Sequence, residues 1–420
     1  MTGALLALQA RTFASLRKHR NYRLFFTGQV ISLSGTWMQN IALAWLVVEL
    51  THSPVALGIL AFCRFGPFTI FGLFAGVLAD RFDNRRLIMA TQAAAMVVSI
   101  ALAVLTLTDS ATVWAVYALA FLGGTTFVFD APGRHALTFQ LVGRDELPNA
   151  VALNASLFNA SRTVGPAIAG VVIAAAGVGV CFLVNTFTFL AVLTALALMR
   201  KEDLHPVERE ETPPPLLQGI RDGIGYVRRS PRVRLLIGAV AAISLISLNF
   251  NVVLPVLASE TLDVGPEGFG ILTASFGLGA LGGALLSAAL SRASWKALVT
   301  GVGAFGVAQL ALAPQESLAV ACVLLFAAGL AFTLWMSNTQ SLLQLTSPDH
   351  LRGRVLSLWL FAFAGSAPIG GLIAGWLTDI GGTQLSFSVG GLASLAVAGM
   401  MLARPWHKLS QPAPAEHLAA

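Results

Sequence analysis

The stretch "GVLADRFDNRR", Gly76 to Arg86, sets Asp80, Arg81, Asp83, Arg85 and Arg86 directly after one long apolar run and directly before another. The runs on either side decide the fold. Each is long enough to cross ~30 Å of hydrocarbon at about 20 residues. The charges therefore mark a place where the chain leaves a bilayer and turns back into it. Of 420 residues, 56% are hydrophobic and 11% charged, against roughly a quarter charged in a soluble domain.

Further runs of this kind cover residues 24–50, 55–78, 87–108, 112–139, 150–176 and 179–199, and then 234–258, 268–291, 297–314, 317–345, 352–377 and 383–403. They are continuous rather than alternating, which selects helices over a barrel, the two structures that satisfy backbone groups in lipid. The sequence predicts an all-α membrane protein with twelve transmembrane helices in two six-helix bundles. Its expected parts are an arm at 1–23, a bundle at 24–199, a linker at 200–233, a second bundle at 234–403 and a tail at 404–420. The linker carries Pro213 to Pro215 and then an amphipathic stretch from about Leu216 to Arg229, which reads as a surface helix. It serves either as a plain connector or as a regulatory segment.

The cations give the orientation, because Lys and Arg are retained on the cytoplasmic side. The arm holds Arg11, Arg17, Lys18, Arg20 and Arg23, and the linker region from Arg200 to Arg234 is equally rich. The remainder fall in the loop after the second span, around Arg134 and Arg144, near Arg292 and Lys296, at Arg352 and Arg354, and in the tail. Only Arg64 and Arg162 lie well away from span ends. The opposite face carries acids near span ends: Glu49, Asp109, Glu260, Asp263, Glu267, Glu316 and Asp379. Both termini are thus expected to be cytoplasmic, and the net charge of +6 reflects topology rather than nucleic-acid binding. The first run lacks a following cleavage site and reads as an uncleaved helix. Cys63, Cys181 and Cys322 have no metal-ligand spacing and read as packing residues, so neither a metal nor another cofactor is expected.

The halves echo one another. Displacing the second span by 212 positions lays Gly58-Ile-Leu over Gly270-Ile-Leu and sets "DRFDNRR" opposite "RASWKAL". Displacing the fifth by 205 brings Gly165, Gly170 and Gly177 over Gly370, Gly375 and Gly382. Abundant Gly and Ala produce some such matches by composition, but corresponding places in each half favour duplication.

Twelve spans, a 6+6 repeat and this loop together resemble the major facilitator superfamily, whose loop pattern G-x-L-a-D-r-x-G-r-k is matched by Gly76, Leu78, Ala79, Asp80, Arg81 and Arg85. Asp83 and Asn84 depart from it. The resemblance covers about residues 15 to 400 and is closest to the branch containing the bacterial enterobactin exporter and related drug effluxers. It rests on "RNYRLFFTGQVISLSGTWMQNIALAWLVVELTHSP", "DAPGRHAL", "NAVALNASLFNASRTVGPAIAG" and "LRGRVLSL". It implies a secondary transporter working by alternating access, with a small-molecule substrate, protons as partner, a bacterial inner-membrane location and a monomeric state. It also implies that the charged loop is a cytoplasmic latch: Asp80 near the helix start at Leu351, and a loop base pairing an acid whose matching position is Asp130. Arg134, Arg352 and Arg354 join this gating set. "GPAIAG" keeps Gly165, Pro166 and Gly170 of an antiporter motif.

Charges within hydrocarbon are expensive. Arg64 lies about ten residues into its span, roughly 15 Å deep at 1.5 Å per residue. Arg64 and Arg162 either pair to fix packing or meet substrate, while Asp130 is either latch or proton carrier. The superfamily arrangement adds Trp37, Gln39, Asn40, Asn249, Asn251, Trp335 and Asn338 as cavity candidates. Aromatics with amides suit an amphiphilic organic molecule. No Walker A loop, H-E-x-x-H or G-x-S-x-G is present, so an enzyme is not expected. Proton-coupled efflux of a siderophore or drug leads; a facilitator or importer, and a non-transporting sensor, stay open.

Overall fold

The computed structural model describes residues 13–206, 216–290 and 293–403; the side chains at 73, 76–81, 216–220 and 349–350 lie outside the described residues. Every regular element among them is helical. A short α1 (Ala14–Lys18) leads into α2 (Arg20–Thr51), α3 (Pro54–Arg81), α4 (Asn84–Leu107), α5 (Val113–Ala176) and α6 (Val178–Ala197). After the linker helix α7 (Leu216–Arg229) come α8 (Pro231–Ile246), α9 (Phe250–Val256), α10 (Gly265–Leu290), α11 (Trp295–Leu312), α12 (Leu318–Thr346), α13 (Asp349–Ala364) and α14 (Ala367–Leu402).

Among the described residues, ten segments are long and apolar enough to cross a membrane. Two of these, Val113–Ala176 with 64 residues and Leu351–Leu402 with 52, far exceed the ~20 residues one crossing needs. Each is broken where a glycine takes positive φ: Gly143 at 71° and Gly382 at 65°, with ψ of −175° at both. Only glycine adopts this backbone without strain. Beside Gly143 the His205 N–H donates to the Gln140 carbonyl at 2.8 Å, and the His19 ring meets His205 edge-on at 6.0 Å. Burial, then the neighbouring His205, push the His19 imidazole below its usual value against the opposing pull of Glu146.

Packing divides the chain into two compact units, one of residues 13–206 with Leu254–Ala274 and one of residues 216–253 with 275–403. In the first, Tyr22, Phe25, Ile88, Leu137, Leu141 and Val192 head a buried cluster where α2, α4, α5 and α6 converge. In the second, Phe250 sits among Phe276, Phe305 and Phe387 at centroid distances of 4.9, 5.9 and 6.2 Å. This aromatic knot binds α9, α10, α11 and α14, and such pairs add about 0.5–1.5 kcal/mol each beyond area burial.

The linker helix is docked rather than free. Arg354 Nη1 donates to Asp222 Oδ2 at 2.8 Å, the Tyr226 hydroxyl to the Thr346 carbonyl at 3.0 Å, and a Cβ at Gly223 would meet Leu358 at 3.2 Å. Thus α7 lies on α13 and the end of α12, so Arg354 anchors the linker.

Candidate functional site

The charged loop is built from two helix-end bonds. Asp83 caps α4, its Oδ1 accepting from the Arg86 N–H at 3.0 Å, which satisfies one orphan donor of that helix. Arg85 reaches the end of α6, where Nε donates to the Leu196 carbonyl at 2.8 Å and Nη2 to that of Ala197 at 3.0 Å. A guanidinium there answers free carbonyls and the negative end of the helix dipole. Arg85 therefore does not meet Asp130. Gly76, Asp80 and Arg81 lie on α3, with side chains outside the described residues.

Asp130 is instead held by its own helix and by α4. It is 3% exposed; Arg134 Nε pairs with Oδ2 one turn away, while Thr91 Oγ1 and Gln92 Nε2 donate to Oδ1 at 2.8 and 3.0 Å. Arg134 also donates to Gln29 of α2. The network continues through Thr138 and Asn154 to the Tyr22 hydroxyl, tying α2, α4 and both parts of α5. Removing one partner from such a buried set leaves others unsatisfied.

Arg64 is different. Its half-buried guanidinium lies over the Phe65 ring at 5.3 Å and makes no ion pair or hydrogen bond among the described residues. Arg162, also half-buried, lies over Trp37 at 5.9 Å. The two do not sit in one pair. Gln39 accepts from Asn185 Nδ2 at 2.6 Å and so joins α2 to α6. Asn40 has no partner among the described residues. Gly165 lets α5 approach α2 closely: a Cβ there would be 2.7 Å from the Ser34 carbonyl oxygen. Beyond Pro166, Gly170 abuts Pro266 and Glu267 while Gly270 abuts the Pro166 carbonyl, so "GPAIAG" forms a backbone-to-backbone crossing with the start of α10.

In the second unit, two spans are interrupted. α8 stops at Ile246 and α9 starts at Phe250; α13 stops at Ala364 and α14 starts at Ala367. The breaks adjoin: Ser244 Oγ donates to the Phe363 carbonyl at 2.6 Å, and Gly370 lies against the Leu245 carbonyl and the Asn249 amide. Asn249 donates to the Leu245 carbonyl at 3.0 Å; Asn251 is exposed and has no partner among the described residues. Broken spans of this sort line binding sites in transporters, and a continuous apolar run gives no warning of them. Gly365 lies in the second break and Pro368 just after it. Trp335, 1% exposed, packs edge-on against Phe332, and Asn338 Oδ1 accepts from the Ser294 N–H at 2.9 Å. Arg352 Nε donates to the Gln344 carbonyl at 3.1 Å.

Residues 10–418 match the model of the family described as transmembrane secretion effector. The chain belongs to that family. It is a multi-pass membrane transporter of the major facilitator superfamily. The transporter is 27% identical over 383 residues to the staphyloferrin A transporter of Staphylococcus aureus, covering 89% of this chain and 94% of the other. It is 28% identical over 400 residues to the enterobactin exporter EntS of Salmonella choleraesuis, covering 92% of each. Among solved structures, a POT family transporter in complex with 5-aminolevulinic acid superposes with TM-score 0.76 at 13% identity, covering 94% of this chain and 97% of that one. At that identity the likeness concerns fold alone.

Proposed function

We propose that the transporter works by alternating access and exports a small amphiphilic organic compound, siderophore-like and anionic or rich in hydrogen-bonding groups, in exchange for protons. Twelve crossings, counting Val113–Ala176 and Leu351–Leu402 as two each, leave both termini in the cytoplasm of a bacterial inner-membrane monomer. The observation that carries the cargo class is Arg64, a guanidinium inside an apolar span with no carboxylate beside it among the described residues. Such a group costs several kcal/mol unless neutralised or hydrated, and its planar donors suit an oxyanion or catechol-like ligand better than an ammonium would. The unpartnered amides of Asn40 and Asn251 supply neutral contacts. Asp80 acts as the latch, and Asp130, already held by three side chains, keeps the bundle together rather than carrying the proton.

A binding screen of the purified protein against anionic, neutral and cationic amphiphiles, repeated with Arg64→Gln, tests this. The anionic series should weaken at least tenfold in the variant, about 1.4 kcal/mol, with the neutral and cationic series unchanged. Unaltered anion affinity would reduce Arg64 to a packing residue and remove the cargo assignment.

A further inference from the structure

An open cavity of about 550 Å³ lies wholly within the first unit, between the end of α2, the α5 stretch at Ile173 and Ala174, and the turn from Ser259 to Pro266. That volume is in the range of small-molecule sites. Its polar lining is Glu49, His52, Ser259 and Glu260, and no Lys or Arg lines it. Both glutamates are exposed, and the Ser259 hydroxyl is buried without a hydrogen-bond partner. The apolar wall includes Trp45, whose ring stacks on Phe269 at 6.1 Å, with Val48 and Pro266 beside it. The Gly170–Gly270 crossing stands next to this wall. The wall is also shaped by local backbone: His52 takes a left-handed φ of 48°, and residues Leu257–Thr261 form a π-helical turn.

Two exposed carboxylates and an indole around an open cavity select one ligand class. We infer that this cavity is a second binding site, distinct from Arg64, that takes a monovalent organic cation: a substituted ammonium or phosphonium with an apolar body. The carboxylates supply charge complementarity, and Trp45 supplies the aromatic contact that such cations favour. A bare metal ion is a poor occupant, because no group of three metal-ligating side chains exists among the described residues and the space far exceeds one ion. This site does not depend on the cargo proposed for Arg64.

Isothermal titration of the purified protein with tetraphenylphosphonium, against the size-matched anion tetraphenylborate, reads it directly. In the Arg64→Gln background, which removes the anion site, the cation should bind and the anion should not. Glu49→Gln combined with Glu260→Gln should weaken the cation at least tenfold. Ala174→Trp, at an exposed wall position, should abolish binding by filling the cavity while keeping both carboxylates. Arg64→Gln should leave cation binding unchanged, which separates this site from the anion site. Equal binding of the anion in the Arg64→Gln background, survival of cation binding in either cavity variant, or competition by sodium at millimolar concentration would overturn the assignment.

Discussion

The α3–α5 crossing of the first unit and the α10–α12 crossing of the second share one backbone design and differ in one side chain. At Gly124 a Cβ would overlap the Arg64 carbonyl; at Gly329 it would overlap the Phe276 carbonyl. These are the positions that the sequence repeat sets opposite each other. The second copy fills the place of Arg64 with an aromatic that is 6% exposed and packs on Phe250 and Phe332. A crossing of this kind therefore needs its glycine and not a charge. The crossing does not by itself call for Arg64, in keeping with the ligand-facing role proposed for it.

Exchanging the two side chains breaks or sharpens that contrast. The largest effect is expected from Phe276→Arg, which would bury an unpaired charge inside the aromatic knot. It should remove several kcal/mol, read as loss of monodisperse protein in detergent. The reverse change, Arg64→Phe, should leave the melting temperature within a few degrees while abolishing the anion preference. A large melting loss in Arg64→Phe would mean the guanidinium holds the fold after all.

Next in size are the glycines. Gly124→Ala and Gly329→Ala each push a methyl group into a helix backbone, and overpacking of this kind costs about 1–3 kcal/mol. Equal losses at the two sites, measured by thermal unfolding, are expected if the crossings are true counterparts. Tolerance at Gly124 alone would show that the first crossing is looser, and the inference about Arg64 would lose its reference.

Much of this was legible in the sequence, because lipid imposes a coarse code. Apolar runs mark the spans, and the amphipathic stretch marks the linker helix at Leu216–Arg229. The duplication appears in three dimensions as well: Gly165 and Gly370 mark the same close approach, of α5 to α2 and of α14 to α8, and Gly177 and Gly382 both take positive φ. Asn40 lies six residues after Ser34, and Asn251 six after Leu245, so the two unpartnered amides are counterparts. What hydropathy could not carry was side-chain partnership. Arg85 turns to the α6 carbonyls and Asn338 to a loop N–H because free backbone groups at helix ends compete for them. The breaks at 247–249 and 365–366 interrupt hydrogen bonding without interrupting apolarity.

The smallest expected effects concern the loops that follow α3 and α10, where the two copies cap the next helix with different chemistry. Asp83 caps α4 at 3.0 Å; Ser294 caps α11 through a longer contact of 3.4 Å to the Ala297 N–H. These caps, rather than the 212-residue displacement of the preceding spans, align the loops, so the copies differ by one residue between span and cap. The family pattern has glycine where this chain has Asp83, and glycine at such a position loses only a few tenths of a kcal/mol relative to a capping side chain, whereas alanine loses about 1. Asp83→Gly should therefore leave thermal unfolding almost unmoved, and Asp83→Ala should lower it measurably. Ser294 has a second support, since its own N–H is held by Asn338, so Ser294→Ala should cost less than Asp83→Ala. Asn338→Ala should remove that support and lower stability without changing cargo affinity. If Asn338→Ala weakens binding while stability holds, the amide belongs to the substrate site, and the loop contact is incidental.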